Sequence, residues 1–293
     1  MNTGMDQHDL HGQVCLVTGA TSGIGLATAT QLAARGAHVL AVARDPGRRD
    51  HAVAGIREQA PDAQVTGLCC DLARLDSVRA LGGEVEGQVD KLDVLINNAG
   101  VSKFRLELTP DGFETTFAVN HLAPFLLTNL LIPVLKRAGQ ARVVAVSSDV
   151  HKQVHDAAWL DDDFAAAFRP LPTYQRTKLM NIWFVRELAR RVPPREITAN
   201  CVSPGFVRTG LAREATGGFK VFTKISKPFQ KSPASAAQGP VHLACAPDLA
   251  NVSGAYFRGV RQSEPSAVAR DDAAAAKLWS LSARLCNLPV ALP

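Results

Sequence analysis

Residues 13–36 read QVCLVTGATSGIGLATATQLAARG, and the order of residue types in this stretch decides the fold. The apolar run QVCLVTG is a short strand. GIGLATATQLAARG is an Ala-rich helix stopped by Gly36. Between them lies TGATSGIG, residues 18–25. Gly19, Gly23 and Gly25 suit a turn that needs positive φ, a backbone that approaches phosphate closely, and a helix packed tightly on its strand. The free N–H groups and positive dipole end of a helix start favour a pyrophosphate. A glycine-rich run alone is only a turn. Placed after the first strand and opening the first helix, it points to dinucleotide binding by Gly19, Thr21, Ser22, Gly23, Ile24 and Gly25. No GK[ST] follows, which excludes a P-loop.

Working outward, the pattern repeats. AHVLAVA is a second strand, and a helix covers roughly 47–60 ahead of Pro61. AQVTGLCCDL, KLDVLINNAG, ARVVAVSS and EITANCVSPG are further strands. Helical segments separate them: LDSVRALGGEVEGQ, a long one from Gly112 that Pro124 and Pro133 should bend or divide, and TYQRTKLMNIWFVRELARRV. Continuously apolar strands alternating with helices predict one α/β domain, with a parallel sheet of about seven strands covered by helices on both faces. Its core spans 10–260 of a single domain covering 1–293. Residues 208–240 break the rhythm and read as an excursion over the site. A last helix is expected over 270–288.

Composition narrows the class. Of 293 residues, 46% are hydrophobic and 20% charged, enough apolar material for a large core. The polar opening MNTGMDQHDLHGQ is not a signal peptide, and the longest apolar run is interrupted by prolines and polar residues, so the expectation is a cytoplasmic protein with no integral membrane segment. The six cysteines show no CxxC spacing, making disulfides and zinc poor assignments. A net charge of +5, without a basic helix interleaved with aromatics, does not indicate nucleic acid.

The end of the second strand bears on which dinucleotide binds. An acid there accepts from a ribose 2′-OH, whereas an Arg pairs with a 2′-phosphate. Arg44 follows the last inward residue, Ala43, and Asp45 already belongs to the DPG turn. NADP(H) is therefore favoured over NAD(H). Arg48 and Arg49 add charge, though a solvated helix start explains them equally well.

Six motifs in order, TGATSGIG, NNAG (97–100), VNHL (119–122), VVAVSS (143–148), YQRTK (174–178) and SPGFVRT (203–209), make nearly the whole chain resemble the short-chain dehydrogenase/reductase family. The end of strand two, ARD at 43–45, and the tail LWSLSARL look most like the retinol-dehydrogenase-type branch. That branch often carries a membrane anchor not seen here, so a retinoid substrate is not implied. The resemblance implies a Rossmann fold and a carbonyl–alcohol oxidoreductase, a carbonyl reductase in one direction. It implies Tyr174 as acid/base, with Lys178 lowering the phenol's pKa and holding the nicotinamide ribose. It implies Ser148, with Ser147 its rival on sequence alone, as the group polarising the substrate oxygen. Asn120 would hold a water linked to Lys178. Asn98, Ala99 and Gly100 would lie near the adenosine ribose, Asp71 and Leu72 would clamp adenine, and Pro204, Gly205, Val207 and Thr209 would orient the carboxamide. The helices from 112 and 174 would pair copies into a homodimer or homotetramer, unless the longer tail and insertion block one face.

Taken alone, Tyr174 and Lys178 are an i,i+4 surface pair. The 25 residues between Ser148 and Tyr174 exceed those of compact family members. Here His151 and His155 sit at metal-ligand spacing without a third ligand, so a polar loop is the better reading. Asp161, Asp162 and Asp163 read as a solvated run. Trp159, Phe164 and Phe168 suit a pocket wall or plain packing. The lid, with Phe219, Phe222 and Phe229 among lysines, favours an apolar small-molecule substrate, or else touches a membrane surface. A non-catalytic dinucleotide sensor is the alternative function. A methyltransferase on a similar sheet would not need the Tyr–Lys pair.

Overall fold

In the computed structural model, which describes residues 9–161, 163–205 and 231–292, the apolar runs become largely buried strands, and one short polar strand joins them at an edge. These are β1 (Val14–Thr18), β2 (His38–Ala43), β3 (Val65–Cys69), β4 (Val94–Asn97), β5 (Ala141–Val146), β6 (Ile197–Ser203), β7 (Tyr256–Arg258) and β8 (Arg261–Ser263). They form one sheet in the order β3-β2-β1-β4-β5-β6-β7-β8. The seven parallel strands expected are present, and β8 adds an antiparallel edge through Tyr256↔Ser263 and Arg258↔Arg261. Strand order reverses between β1 and β4, which pair at Val17↔Ile96. In a doubly wound sheet, that reversal opens a crevice at the strands' carboxyl ends.

Two apolar layers flank the sheet. On one face lie α1 (Gly23–Ala33), α2 (Pro46–Gln59) and α6 (Pro233–Cys245), contributing Leu32, Ile56 and Val241. On the other lie α3 (Leu75–Gln88), α4 (Thr115–Lys136), α5 (Pro170–Arg191) and α7 (Asp272–Leu285), contributing Leu81, Leu127, Trp183 and Trp279. Residues 233–240 thus belong to α6, which packs on α1, so that end of the predicted excursion is core rather than lid. The tail helix falls inside its expected range.

Helix α4 is apolar and long enough to cross a membrane by composition, but 89% of its most apolar window is buried in this core. It starts at Thr115, because Glu114 caps it: one carboxylate oxygen accepts from Thr116 N–H and the other from Phe117 N–H. The helical stretch is continuous past Pro124, but its hydrogen bonding changes there, from a wide turn before the proline to regular α-helix from Ala123 on. The residues just before form a π turn, Ala118–Leu122, in which Ala123 N–H donates to Ala118 O. Proline lacks an N–H and its ring crowds the carbonyl four residues back, here that of Asn120, and the wider turn accommodates both. Helix α4 also continues through Pro133.

The two sheet edges end differently. On β3 the Arg57 guanidinium donates to Val65 O at 2.7 Å. Edge strand β8 is three residues long and presents exposed Arg261 and Gln262.

Candidate active site

The glycine turn is held against the turn after β4. Thr18, the last residue of β1, accepts at its hydroxyl from Asn98 N–H and Ala99 N–H, both at 3.1 Å. Asn98 Nδ2 donates to Thr18 O at 2.8 Å. Gly19 and Gly23 adopt φ of +69° and +57°, in the left-handed region that glycine enters at no steric cost. A Cβ on Gly25 would sit 2.3 Å from both Asn98 Nδ2 and Gly19 O, so no side chain fits there. At the start of α1 the Ser22 hydroxyl makes no capping bond, and the first turn holds no acidic residue. Thr21 and Ile24 flank it half-buried. Uncapped N–H groups, a positive dipole end and a bare glycine backbone fit a dinucleotide pyrophosphate.

At the ends of β2 and β3, Asp45 is committed: its carboxylate caps α2 by accepting Arg48 N–H at 2.8 Å. Arg49 donates to Asp50 at 2.7 Å and reaches Cys69 Sγ at 3.3 Å. Arg44 is exposed and makes no ion pair among the described residues. Asp71 shapes its own turn, with its N–H on Ser77 Oγ at 3.0 Å and its carboxylate on Ala73 N–H at 3.1 Å. Leu72 lines a small recess with Thr18, Asn97, Ala99, Val119, Pro124 and Leu127. Of these, Thr18 was missed on sequence, although its place at the end of β1 was a usable signal.

Beyond β4 and β5, two polar side chains converge. A Cβ on Gly100 would lie 3.4 Å from both Asn120 Oδ1 and Lys178 Nζ. Asn120 is fully buried in the π turn; its amide oxygen accepts Val101 N–H at 2.7 Å and its nitrogen donates to Val101 O at 2.9 Å and Thr177 Oγ1 at 3.1 Å. Thr177 in turn donates to Tyr174 O at 2.8 Å, tying α4 to the first turns of α5. Sequence reasoning overlooked Thr177, which stands inside the YQRTK motif. Lys178 Nζ donates to Val146 O at 3.0 Å and lies 5.5 Å from the Tyr174 ring centroid. Ser147 is buried and its hydroxyl donates to Lys178 O at 2.6 Å. Ser148, half-exposed, accepts only Val150 N–H at 3.4 Å among the described residues. The core thus takes the Ser147 hydroxyl, while Ser148 stays half-exposed just beyond the end of β5.

In the protein alone Lys178 does not depress the Tyr174 phenol. Burial dominates both groups, pushing Tyr174 up and Lys178 down to about 8. Desolvation penalises phenolate and ammonium alike, and the ammonium is turned toward Val146 O.

Buried Pro204 and exposed Gly205, at φ +86°, follow β6 at the sheet's carboxyl edge. Val207, Thr209 and the lid residues 206–230 lie outside the described residues, as does Asp162. His151 is buried with both ring nitrogens engaged, which removes it as a metal ligand. Among the described residues no group of three or more His, Cys, Asp or Glu is placed to hold a metal ion. Asp161 pairs with Lys277 at 2.6 Å, and Asp163 caps a turn through Ala165 N–H. Trp159 stacks on Trp183, with centroids 5.7 Å apart, and Phe164 on Phe117 at 4.3 Å, so both are packing residues.

The chain belongs to the short-chain dehydrogenase/reductase family: the model of the short chain dehydrogenase family matches residues 13–218. It is an NAD(P)-dependent oxidoreductase of that family, which disfavours the regulatory and methyltransferase readings. Among its relatives, retinol dehydrogenase 14 of Mus musculus is 40% identical over 292 residues, 95% of this chain and 87% of the relative. The WW domain-containing oxidoreductase of Homo sapiens is 37% identical over 94% of this chain and 69% of the relative. An uncharacterised protein of Mycobacterium paratuberculosis superposes with a TM-score of 0.77 at 30% identity, covering 98% of this chain and 97% of that one. A crystal structure from Beutenbergia cavernae, described as an NAD(P)-dependent gluconate 5-dehydrogenase with bound NADP, gives a TM-score of 0.70 at 25% identity over 85% and 96% of the two chains.

Proposed function

We propose that the protein interconverts a carbonyl and an alcohol on a largely apolar small molecule, using NADP(H), with Tyr174 as general acid/base. The observation that carries this reading is the convergence of Lys178 Nζ and Asn120 Oδ1 on the Gly100 backbone, 3.4 Å from where a Cβ would stand, one helical turn from Tyr174.

When bound, the nicotinamide group supplies or accepts a hydride at the substrate carbon. The chain's own residues handle the oxygen and its proton. In reduction, the Tyr174 hydroxyl donates its proton to the oxygen as the carbon gains its hydrogen; in oxidation the proton returns to the phenolate. Lys178, buried and still protonated below about pH 8, places positive charge beside that phenol and holds a ribose. Ser148 donates a hydrogen bond to the substrate oxygen and polarises it. Asn120 fixes the backbone at Val101, and through Thr177 it fixes the turn bearing Tyr174.

The phosphate cradle is the glycine turn, with Asn98, Ala99 and Gly100 beside it and Asp71 and Leu72 at the adenine end. Arg44 supports a 2′-phosphate, because it is exposed while the competing acid, Asp45, is spent on capping α2. The retinol dehydrogenase relatives support an apolar substrate. So does Leu171, 48% exposed one turn ahead of Tyr174.

The test is a panel of apolar aldehydes, ketones and secondary alcohols, followed by nicotinamide absorbance with NADP(H) and NAD(H) in parallel. Turnover with NADPH exceeding that with NADH is expected. Binding without turnover of any pair would overturn the enzymatic reading, and a preference for NADH would overturn the assignment of Arg44.

A further inference from the structure

Among the described residues the Ser148 hydroxyl meets one weak partner, Val150 N–H at 3.4 Å, so where it stands depends on the backbone that carries it. That backbone is held by His151. The imidazole Nδ1 donates to Ser148 O at 2.7 Å, and the His151 backbone N–H donates to the same oxygen at 3.2 Å. On the other side Nε2 accepts Ser266 N–H at 3.2 Å, from the segment after β8 and 115 residues away in sequence. Only the neutral ring protonated on Nδ1 satisfies both contacts. Burial pushes the His151 pKa down and so favours that neutral form. The ring packs edge-on against Tyr256 at 5.1 Å. Tyr256 also donates to Asp149, the residue after Ser148, at 3.1 Å, and Arg258 donates to the same carboxylate at 3.2 Å.

We infer that His151 is a positioning residue for the reaction: its imidazole bridges Ser148 O to Ser266 N–H and thereby aims the Ser148 hydroxyl at the substrate oxygen. This rests on the role proposed above for Ser148. A hydroxyl displaced by a fraction of an ångström still binds substrate but loses its fit to the developing negative charge, so the loss falls on kcat more than on KM.

Two substitutions separate the two ends of the bridge. In His151→Asn, the side-chain nitrogen falls where Nδ1 was and keeps the bond to Ser148 O while losing Ser266. In His151→Gln, the amide oxygen falls where Nε2 was and keeps Ser266 while losing Ser148. Each is made in the wild-type and in the Ser148→Ala protein, with kcat, KM, melting temperature and NADPH affinity by fluorescence. Nitrogen-15 NMR of the wild-type imidazole reads the tautomer directly. The expected result is a kcat roughly tenfold lower for His151→Gln and within about threefold of wild type for His151→Asn, with NADPH affinity unchanged and no further loss when either is added to Ser148→Ala. An Nε2-protonated ring, equal kcat losses in both variants, or the same His151→Gln loss with and without Ser148 would overturn the inference. A Ser148→Ala protein with wild-type kcat would overturn the assignment of Ser148, and this inference with it.

Discussion

At the scale of single residues, the site contains a group held at a stability penalty. Lys178 is buried and its pKa falls from 10.5 to about 8. Below that range native and unfolded chains both carry the proton. Between about 8 and 10.5 only the unfolded chain keeps it, so the unfolded state binds more protons and the contribution of this lysine to stability rises with pH. The burden on the native state at neutral pH is on the order of 3 kcal/mol. Lys178→Met should therefore be more stable than wild type in urea unfolding at pH 7, with the gap narrowing toward pH 10, while turnover falls by roughly 10²-fold or more. Asn181 Nδ2, which also donates to Val146 O at 3.3 Å, keeps that carbonyl satisfied in the variant. Tyr174→Phe should lose turnover by a similar factor and keep NADPH affinity, read by fluorescence titration. Arg44→Ala should raise KM for NADPH by roughly 10- to 100-fold, the worth of one hydrogen-bonded charge, and leave KM for NADH nearly unchanged. Much of this was legible in the sequence, because Tyr174 and Lys178 are bound by helical periodicity and Asp45 by its turn. The choice between Ser147 and Ser148 was not legible from strand alternation alone, which has no absolute phase until the Lys178 carbonyl claims one hydroxyl. The bridge made by His151 was equally invisible, since its second partner, Ser266, is remote in sequence.

At the scale of elements, the glycine turn and the turn after β4 act as one unit, because Asn98 occupies the space that a Gly25 side chain would need. Gly25→Ala should displace Asn98, lower NADPH affinity at least tenfold and reduce the melting temperature by several degrees, consistent with overpacking of about 1–3 kcal/mol. Calorimetry with and without NADPH separates the two effects. The strand–helix alternation was readable because most strands are largely apolar runs separated by helical segments with their own stops. The exceptions have local causes. Strand β8 carries Arg261, Gln262 and Ser263, which give no apolar signal at a solvated edge. The π turn hides within a helical pattern, since Pro124 announces a disturbance without specifying which kind. Residues 233–240 close the stretch that breaks the strand–helix rhythm, yet Pro233 stands in the first turn of α6, where its missing N–H costs nothing.

At the scale of the whole molecule, α7 closes one side of the fold over α4 and α5. Trp279 lies 4.9 Å from Phe125 and 6.1 Å from Phe184, ring to ring, and its indole donates to Val290 O at 3.0 Å. Trp279→Ala should destabilise the protein by about 3–5 kcal/mol in urea unfolding, with little change in NADPH affinity. The chain's own tail thus covers part of the surface of α4 and α5. The two ends of the sheet have a separate consequence. A bare outer strand is a template on which other chains can polymerise. Here one border has a guanidinium clamped over a backbone carbonyl, and the other stops after three polar residues running in the opposite sense. Concentrated solutions of the folded protein should accordingly resist fibrillar growth, which places the risk of amyloid seeding with partly unfolded chains.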